Sequence, residues 1–332
     1  AGFLMTGSLN GILQAEDTLT LYTQRHYAFD ETLHAKFLEE TGIKVEVVKA
    51  GADELIARLQ EEGENTSADL FMTADGAGLA RASDAGLLEP MGDLEALAAV
   101  PESLKGKDGE WCAVTMRARV IVHASDRVDP SELSTYEALA DPKWKGRIVI
   151  RSSTNAYNQS LMASIVAANG EEKSLEWAKA VRGNMARPPQ GSDRDQIRAV
   201  ASGLADIAVA NTYYLGLLAN GEDENDRKVA KSVKLFFPNQ DGRGAHVNIS
   251  GVGVVKGTKN MENALKFISF LLSEETQSLY PENTFEYPVL SSAKWSGMQE
   301  EWGKFKPDTL DFGKMGEKIP EAVRLFNEAG WE

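Results

Sequence analysis

Apolar and polar positions alternate through Leu19-Thr20-Leu21-Tyr22, and this β-prone stretch predicts a first strand. Beyond Thr23-Gln24-Arg25-His26-Tyr27 the period changes. Leu33, Phe37 and Leu38 fall on one helical face, with Asp30 placed to cap the helix and Gly42 to end it. Ile43, Val45 and Val47 alternate as a second strand. A helix opening at Asp53 or Glu54 turns Leu55, Ile56 and Leu59 inward. Residues 68–73 read as a third strand, and Asp75 leads into a helix reaching Gly86. Such strand–helix alternation is the signature of an α/β fold with a parallel sheet.

Residues 114–125 (VTMRARVIVHAS) predict a longer, extended strand. Then come Pro130, a helix from Ser134, and the turn Asp141-Pro142-Lys143-Trp144-Lys145-Gly146. A second alternating series begins at Arg147-Ile148-Val149-Ile150, with helices over 159–169, 173–182 and 193–203 and a loop over 187–192. Ile207 to Ala210 is wholly apolar, as in a strand buried on both faces. It stops at Asn211-Thr212, and Tyr213 and Tyr214 come next, where a helix ending near Asn220 begins. Residues 221–232 read as a polar surface loop, 233–237 as a strand, 241–255 as a glycine-containing segment running into a strand, and 260–272 as a helix. A final helix is expected near 321–329.

Two α/β series with long strands near 114–125 and 243–255 predict two lobes joined by two crossover strands, with an interlobe cleft that closes by a hinge. The expected division places residues 16–116 and 244–280 in one lobe, and 117–243 and 281–332 in the other.

The length of 332 residues agrees with about two domains. A formal charge of −15 argues against nucleic acid or an anionic membrane surface as partner, since a phosphate backbone needs a basic footprint. Most of that acid serves solubility. The single cysteine, Cys112, excludes an internal disulfide and a thiolate metal cluster. Residues 1–15 are small and apolar before Glu16-Asp17. They read equally as the end of a secretory segment cleaved after Ala15 or as sequence foreign to the protein.

Ligands of parallel sheets gather beyond the carboxyl ends of the strands. Of eight tyrosines, four come directly after a predicted strand: Tyr27 in the first lobe, and Tyr157, Tyr213 and Tyr214 in the second. Four such phenols would point into one cleft. Singly, each is more readily read as packing than as an aromatic platform for a sugar or a hard oxygen ligand for a metal. His26 is a nitrogen donor or a satisfied surface residue. Arg25 either pairs with a surface acid or lies near the cleft. Arg117 or Arg119 falls on a crossover strand, where a cation would compensate clustered phenolates. No GxSxG, HExxH, Walker or strand-borne GxGxxG motif occurs. The four histidines are dispersed and form no three-His zinc pattern. His246, Asn248 and Ser250 share one face of an extended segment, lining either the cleft or an exposed strand.

These residues together resemble the bacterial periplasmic ferric-iron-binding proteins of iron ABC importers, the cyanobacterial Fut-type members above all. The resemblance runs from about Leu19 to the C-terminus. It is carried by Tyr22-Thr23-Gln24-Arg25-His26-Tyr27, Thr41-Gly42-Ile43-Lys44-Val45, Ala52-Asp53-Glu54-Leu55, Arg151-Ser152-Ser153 with Tyr157-Asn158-Gln159-Ser160, Asn211-Thr212-Tyr213-Tyr214, and His246-Val247-Asn248-Ile249-Ser250-Gly251. The Thr-Gly-Ile-Lys-Val phrase is general to binding proteins; the Asn-Thr-Tyr-Tyr and His-Tyr phrases are far more specific.

The resemblance implies a two-lobed, type II-like periplasmic-binding-protein fold with ferric iron in the interlobe cleft. It implies metal ligands at Tyr27, Tyr157, Tyr213 and Tyr214, with His26 a candidate fifth, and it leaves Arg25 and Arg117 just behind them. With Tyr157 present, no obligatory synergistic anion is expected. Glu54 matches a region that supplies a carboxylate ligand in other branches, a role the extra tyrosines make unnecessary here. Ferric iron is a hard cation that prefers anionic oxygen, and its binding removes the phenolic protons. Four phenolates exceed its charge by one, so a nearby arginine helps, and ferrous iron is expected to bind less well. The implied protein is a monomeric, periplasmic, non-enzymatic carrier, free or membrane-associated, that delivers iron to an inner-membrane ABC permease. The rival readings are a binding protein of the same fold for an organic or anionic solute, and an enzyme using tyrosine as acid or base.

Overall fold

The computed structural model describes residues 17–25 and 27–331. The expected leader over 1–15 and the expected ligand His26 lie outside the described residues. The first lobe alternates as its period predicts: β1 (Asp17–Thr23), α1 (Ala28–Thr41), β2 (Ile43–Lys49), α2 (Ala52–Glu62), β3 (Leu70–Thr73) and α3 (Gly76–Asp84). β1 lies parallel to β2 on one side and to β3 on the other, with Leu21 opposite Val47 and Leu70. Leu19, Leu21, Phe37, Leu55 and Phe71 are buried together, which is the physical basis of the alternating pattern.

The short β4 (Leu88–Glu89) precedes the long β5 (Trp111–Ala124). The second series is β6 (Ile148–Val149), α4 (Ala156–Asn169), α5 (Glu171–Asn184), α6 (Asp193–Ala201), β7 (Ile207–Asn211), α7 (Thr212–Asn220), α8 (Glu224–Lys231) and β8 (Val233–Phe236). Next are β9 (Val247–Val255) and α9 (Met261–Leu271). The chain ends with α10 (Glu274–Thr284), β10 (Tyr287–Pro288), α11 (Gly297–Trp302), α12 (Phe312–Glu317) and α13 (Ile319–Glu328).

The principal strand order is β2-β1-β3-β9-β5-β7-β6. β5 changes partners along its length. Residues 111–118 pair with β9, while residues 119–124 pair with β7 and β8. β9 likewise runs antiparallel to both β3 and β5. The molecule is therefore a two-lobed α/β fold in which β5 and β9 are the crossover strands.

Four sequence expectations require correction. No helix starts at Ser134; that stretch holds only short 3-10 turns, Pro130–Glu132, Glu137–Ala140 and Pro142–Trp144, because the prolines leave too few residues to propagate a helix. Residues 221–232 are not a loop but contain α8. It buries no residue, so no apolar period marked it, and it rests on a cap from Asp223 with acids in its first turn and lysines in its last. Asp30 does not cap α1; the capping position is Tyr27, and Asp30 turns back to Arg25. α4 starts before residue 159, capped by the Asn155 side chain, so Tyr157 sits in its first turn.

Phe285 adopts a left-handed backbone at φ 58°, and its ring presses on α7 at Gly216. A Cβ at Gly216 would lie 2.3 Å from Phe285 Cγ, so this helix position requires glycine. The contact ties the helix of the paired tyrosines to the segment that carries Glu286.

Candidate metal centre

Three helix N-termini deliver the four expected tyrosines to one place. Tyr27 precedes α1, Tyr157 lies in the first turn of α4, and Tyr213 and Tyr214 open α7. All four line a single cavity of about 290 Å³, together with Gln24, Arg25, Asp75, Arg117 and Asn248. Helix N-termini present partial positive charge and free N–H groups, and so favour anions such as phenolate. Each tyrosine is placed there by a local rule: a strand ends, the chain turns, and a helix begins.

The phenols are clustered closely enough to act together. Tyr213 Oη donates to Tyr157 Oη at 3.1 Å. The rings of Tyr213 and Tyr214 lie 4.3 Å apart between centroids, tilted by 34°. Tyr27 Oη donates to Glu286 Oε1 at 3.1 Å. Burial pushes the Tyr27 phenol well above its ordinary value; Glu286 adds to this, and Arg117 and Arg25 oppose it. Tyr213 is raised by burial and by Tyr157, Tyr27 and Tyr214. Tyr214 is pushed up to about 12 by burial and then by Tyr157. These three phenols therefore keep their protons at neutral pH until a cation displaces them.

Behind Tyr27 stands a buried ionic group. The Arg25 guanidinium lies 4.2 Å from the Tyr27 ring centroid. Its Nε donates to Asp30 at 3.0 Å, and its Nη1 to Ser250 Oγ at 2.7 Å, Glu286 Oε2 at 3.1 Å and Thr115 Oγ1 at 3.2 Å. Arg25 thus pairs with buried acid rather than with a surface one. Arg117 donates to the Ala74 carbonyl and places Nη1 3.8 Å from Glu286 Oε1. Arg117 Nη1 is buried without a hydrogen-bond partner. Burial raises the Glu286 carboxyl, but Arg25 and Arg117, helped by Thr115, hold it below the usual range. The positive charge expected from Arg117 is therefore offset by a carboxylate that sequence reasoning missed. Its one signal is a lone acid within Phe285-Glu286-Tyr287-Pro288, where a solvated side chain is out of place.

Arg119 supports the tyrosines from below instead of facing the cavity. Its Nη1 donates to Asp193 Oδ2 at 2.8 Å and Asn211 Oδ1 at 3.0 Å, and its Nη2 to Asn158 Oδ1 at 2.6 Å. The Asn211 N–H also donates to Asp193 Oδ2, at 3.0 Å. One buried ion pair thereby fixes the starts of α4, α6 and α7. Removing one partner of such a pair leaves a buried charge uncompensated. Asp193→Ala is expected to lower the unfolding free energy by about 3–5 kcal/mol. This would appear as a lower urea midpoint at unchanged slope. A loss below about 1 kcal/mol would show that the pair does not brace these helices.

The face shared by His246, Asn248 and Ser250 looks inward. Asn248 lines the cavity and donates to Asp75 Oδ1 at 2.9 Å. His246 Nε2 lies 2.8 Å from Ser160 Oγ, and burial with Arg119, Arg243 and Arg117 pushes its pKa down to about 3. Glu54 is exposed on α2, away from the cavity. Among the described residues, no group of three or more His, Cys, Asp and Glu side chains is arranged to hold a metal. The chemistry on offer is therefore hard, phenolic oxygen.

The sequence model of the bacterial extracellular solute-binding proteins matches residues 32–307. The chain is 50% identical over 317 residues to iron uptake protein A1 of Synechocystis, covering 96% of this chain and 88% of the relative. A solved structure of a Trichodesmium protein (IdiA, FutA) in complex with iron and citrate ligands superposes with a TM-score of 0.88 at 44% identity, over 95% of this chain and all of that one. The ferric binding protein from Campylobacter jejuni superposes with a TM-score of 0.84 at 43% identity, again over 95% of this chain and all of that one.

Proposed function

The chain belongs to the bacterial extracellular solute-binding protein family, and from that premise we propose that it captures ferric iron in its interlobe cleft and hands it to an inner-membrane ABC permease. The observation that carries this reading is the cluster of four phenols on one cavity, at helix N-termini and beside Arg117. The matched proteins named for iron support the same choice of metal. Tyr27, Tyr157, Tyr213 and Tyr214 are the proposed ligands. Ferrous iron is the poorer fit, because four phenolates leave it with a larger excess of negative charge. No helix among the described residues is long and apolar enough to cross a membrane. The proposed carrier works as a monomer in the periplasm, the compartment for which a matched Fe(3+)-binding protein of Serratia marcescens is named.

The proposed lobes are 16–116 with 244–280 and 117–243 with 281–332; the change of ladder partners in β5 between Ala118 and Arg119, two residues beyond the proposed boundary, supports a division in that stretch. Tyr157, Tyr213 and Tyr214 hold the metal first. Tyr27 joins from the other lobe as the hinge closes, so the metal supplies the contact that favours the closed state. With four phenols available, no anion is required to complete the site.

The test is a visible absorption spectrum before and after addition of chelated ferric iron, with and without citrate. Phenolate-to-iron charge transfer is expected to colour the protein orange-red in both, and dithionite to bleach it. No colour at saturating iron, with the protein folded, would sink the iron reading. Colour only with citrate would restore the need for an anion.

A further inference from the structure

Glu286 is not among the proposed ligands, yet its side chain is fully buried against one of them, Tyr27. The balance of charge around the cavity shows why a carboxylate there matters. Arg25 is matched by Asp30. Arg117 is then the cation left to balance the phenolates, and its Nη1 faces Glu286 Oε1 at 3.8 Å. Glu286 also takes hydrogen bonds from Thr115 Oγ1 at 2.7 Å and Arg25 Nη1 at 3.1 Å, so it is held rigidly in place. Without it, four phenolates, a ferric ion and Arg117 would sum to zero, and the ferrous form to minus one; Asp75, which also lines the cavity, is common to both sums. With it, each sum is one unit more negative. A more negative surrounding favours the more highly charged ion.

We propose that Glu286 is the residue that sets the ferric-over-ferrous preference of the cleft, acting through Tyr27 and Arg117 as a positioning and charge-setting group. The inference rests on the reading of the cleft as an iron site and names what tunes it. An amide of the same shape keeps the volume of the side chain but has one acceptor oxygen where the carboxylate uses two, Oε1 for Tyr27 and Oε2 for Thr115 and Arg25. The lost acceptor disturbs both ions alike, whereas the lost charge acts differently on the ferric and ferrous forms.

The experiment measures ferric and ferrous dissociation constants separately, the latter without oxygen, for the wild-type protein, Glu286→Gln and Glu286→Asp. Glu286→Gln is expected to lower the ratio of ferric to ferrous affinity tenfold or more, while Glu286→Asp keeps it near the wild-type value. A purely structural role would weaken both ions alike and leave the ratio in place. An unchanged ratio in Glu286→Gln, or an equal change in Glu286→Asp, overturns the proposal. If Glu286→Gln does not fold, Arg117→Leu tests the same balance from the other side; it should raise the ratio, and no change there overturns the proposal too. A wild-type protein that binds no ferric iron removes the iron reading itself, before any variant is compared.

Discussion

A protein carrying Tyr213→Phe and Tyr214→Phe is expected to fold normally and to lose both its ferric iron and its colour. The two substitutions keep the rings, and with them the contact between centroids 4.3 Å apart at the start of α7. They remove the oxygens. The lost hydroxyl hydrogen bonds, such as Tyr213 to Tyr157, are worth about 0.5–1.5 kcal/mol each, so the fold survives. The metal does not. Changing a residue that merely orients a ligand weakens metal binding by about 10–100-fold, and loss of an anionic ligand is the larger insult. Tyr214→Phe alone is therefore expected to weaken ferric binding by more than about 100-fold, measured by competition with a chelator. An unchanged affinity in that variant would remove Tyr214 from the site. The double variant has only Tyr157 and Tyr27 left among the four phenols, one in each proposed lobe, and no longer offers a pair of proposed ligands on one helix.

Most of this cavity is legible in the sequence because the fold class and the site share a cause. Strands buried on both faces, such as Ile207 to Ala210, are unmistakable as apolar runs even in this mixed sheet, and the residues just past their carboxyl ends lie at the cleft. That rule alone brings Tyr213 and Tyr214 to the cavity. Tyr157 reaches it too, although its helix begins earlier than expected, since the Asn155 cap is a local signal of ordinary strength. The features that stay hidden are long-range. Glu286 meets Arg25 across 261 residues of chain, and Asp193 meets Arg119 across 74. Neither pairing leaves a period or a spacing to read. Asp30 defeats the local reading for the same reason: a helix-start acid is a sound cap by local rules, but a buried guanidinium at 3.0 Å is a stronger partner. α8 escapes because its only apolar residues, Val229 and Ala230, are half-buried against the core and too few to set an apolar period.

Acid is expected to strip the iron over a narrow range of pH. Tyr27, Tyr213 and Tyr214 all have raised phenolic pKa values in the metal-free cleft, chiefly through burial. Each is a neutral phenol near pH 7 and must give up a proton to bind as phenolate. Iron binding by these residues therefore releases at least three protons, and each displaced proton changes the affinity by about tenfold per pH unit. A fall of one unit is then expected to weaken binding by about a thousandfold or more. The same shifts fix the sign for the metal-free protein. Tyrosines whose folded pKa lies above the unfolded value near ~10 contribute stability that is complete below that pH and lost as pH rises beyond it, because the unfolded chain ionises first. Acid thus removes the metal without attacking these groups in the fold, whereas alkali destabilises the empty cleft. The check is a pH titration of the charge-transfer band in the iron-loaded protein, repeated with Tyr27→Phe. The wild-type transition should be steeper than a single-proton curve, with a slope near three or above. The variant should lose about one proton from that slope. A single-proton transition in the wild type would mean that these phenols do not bind iron as phenolates.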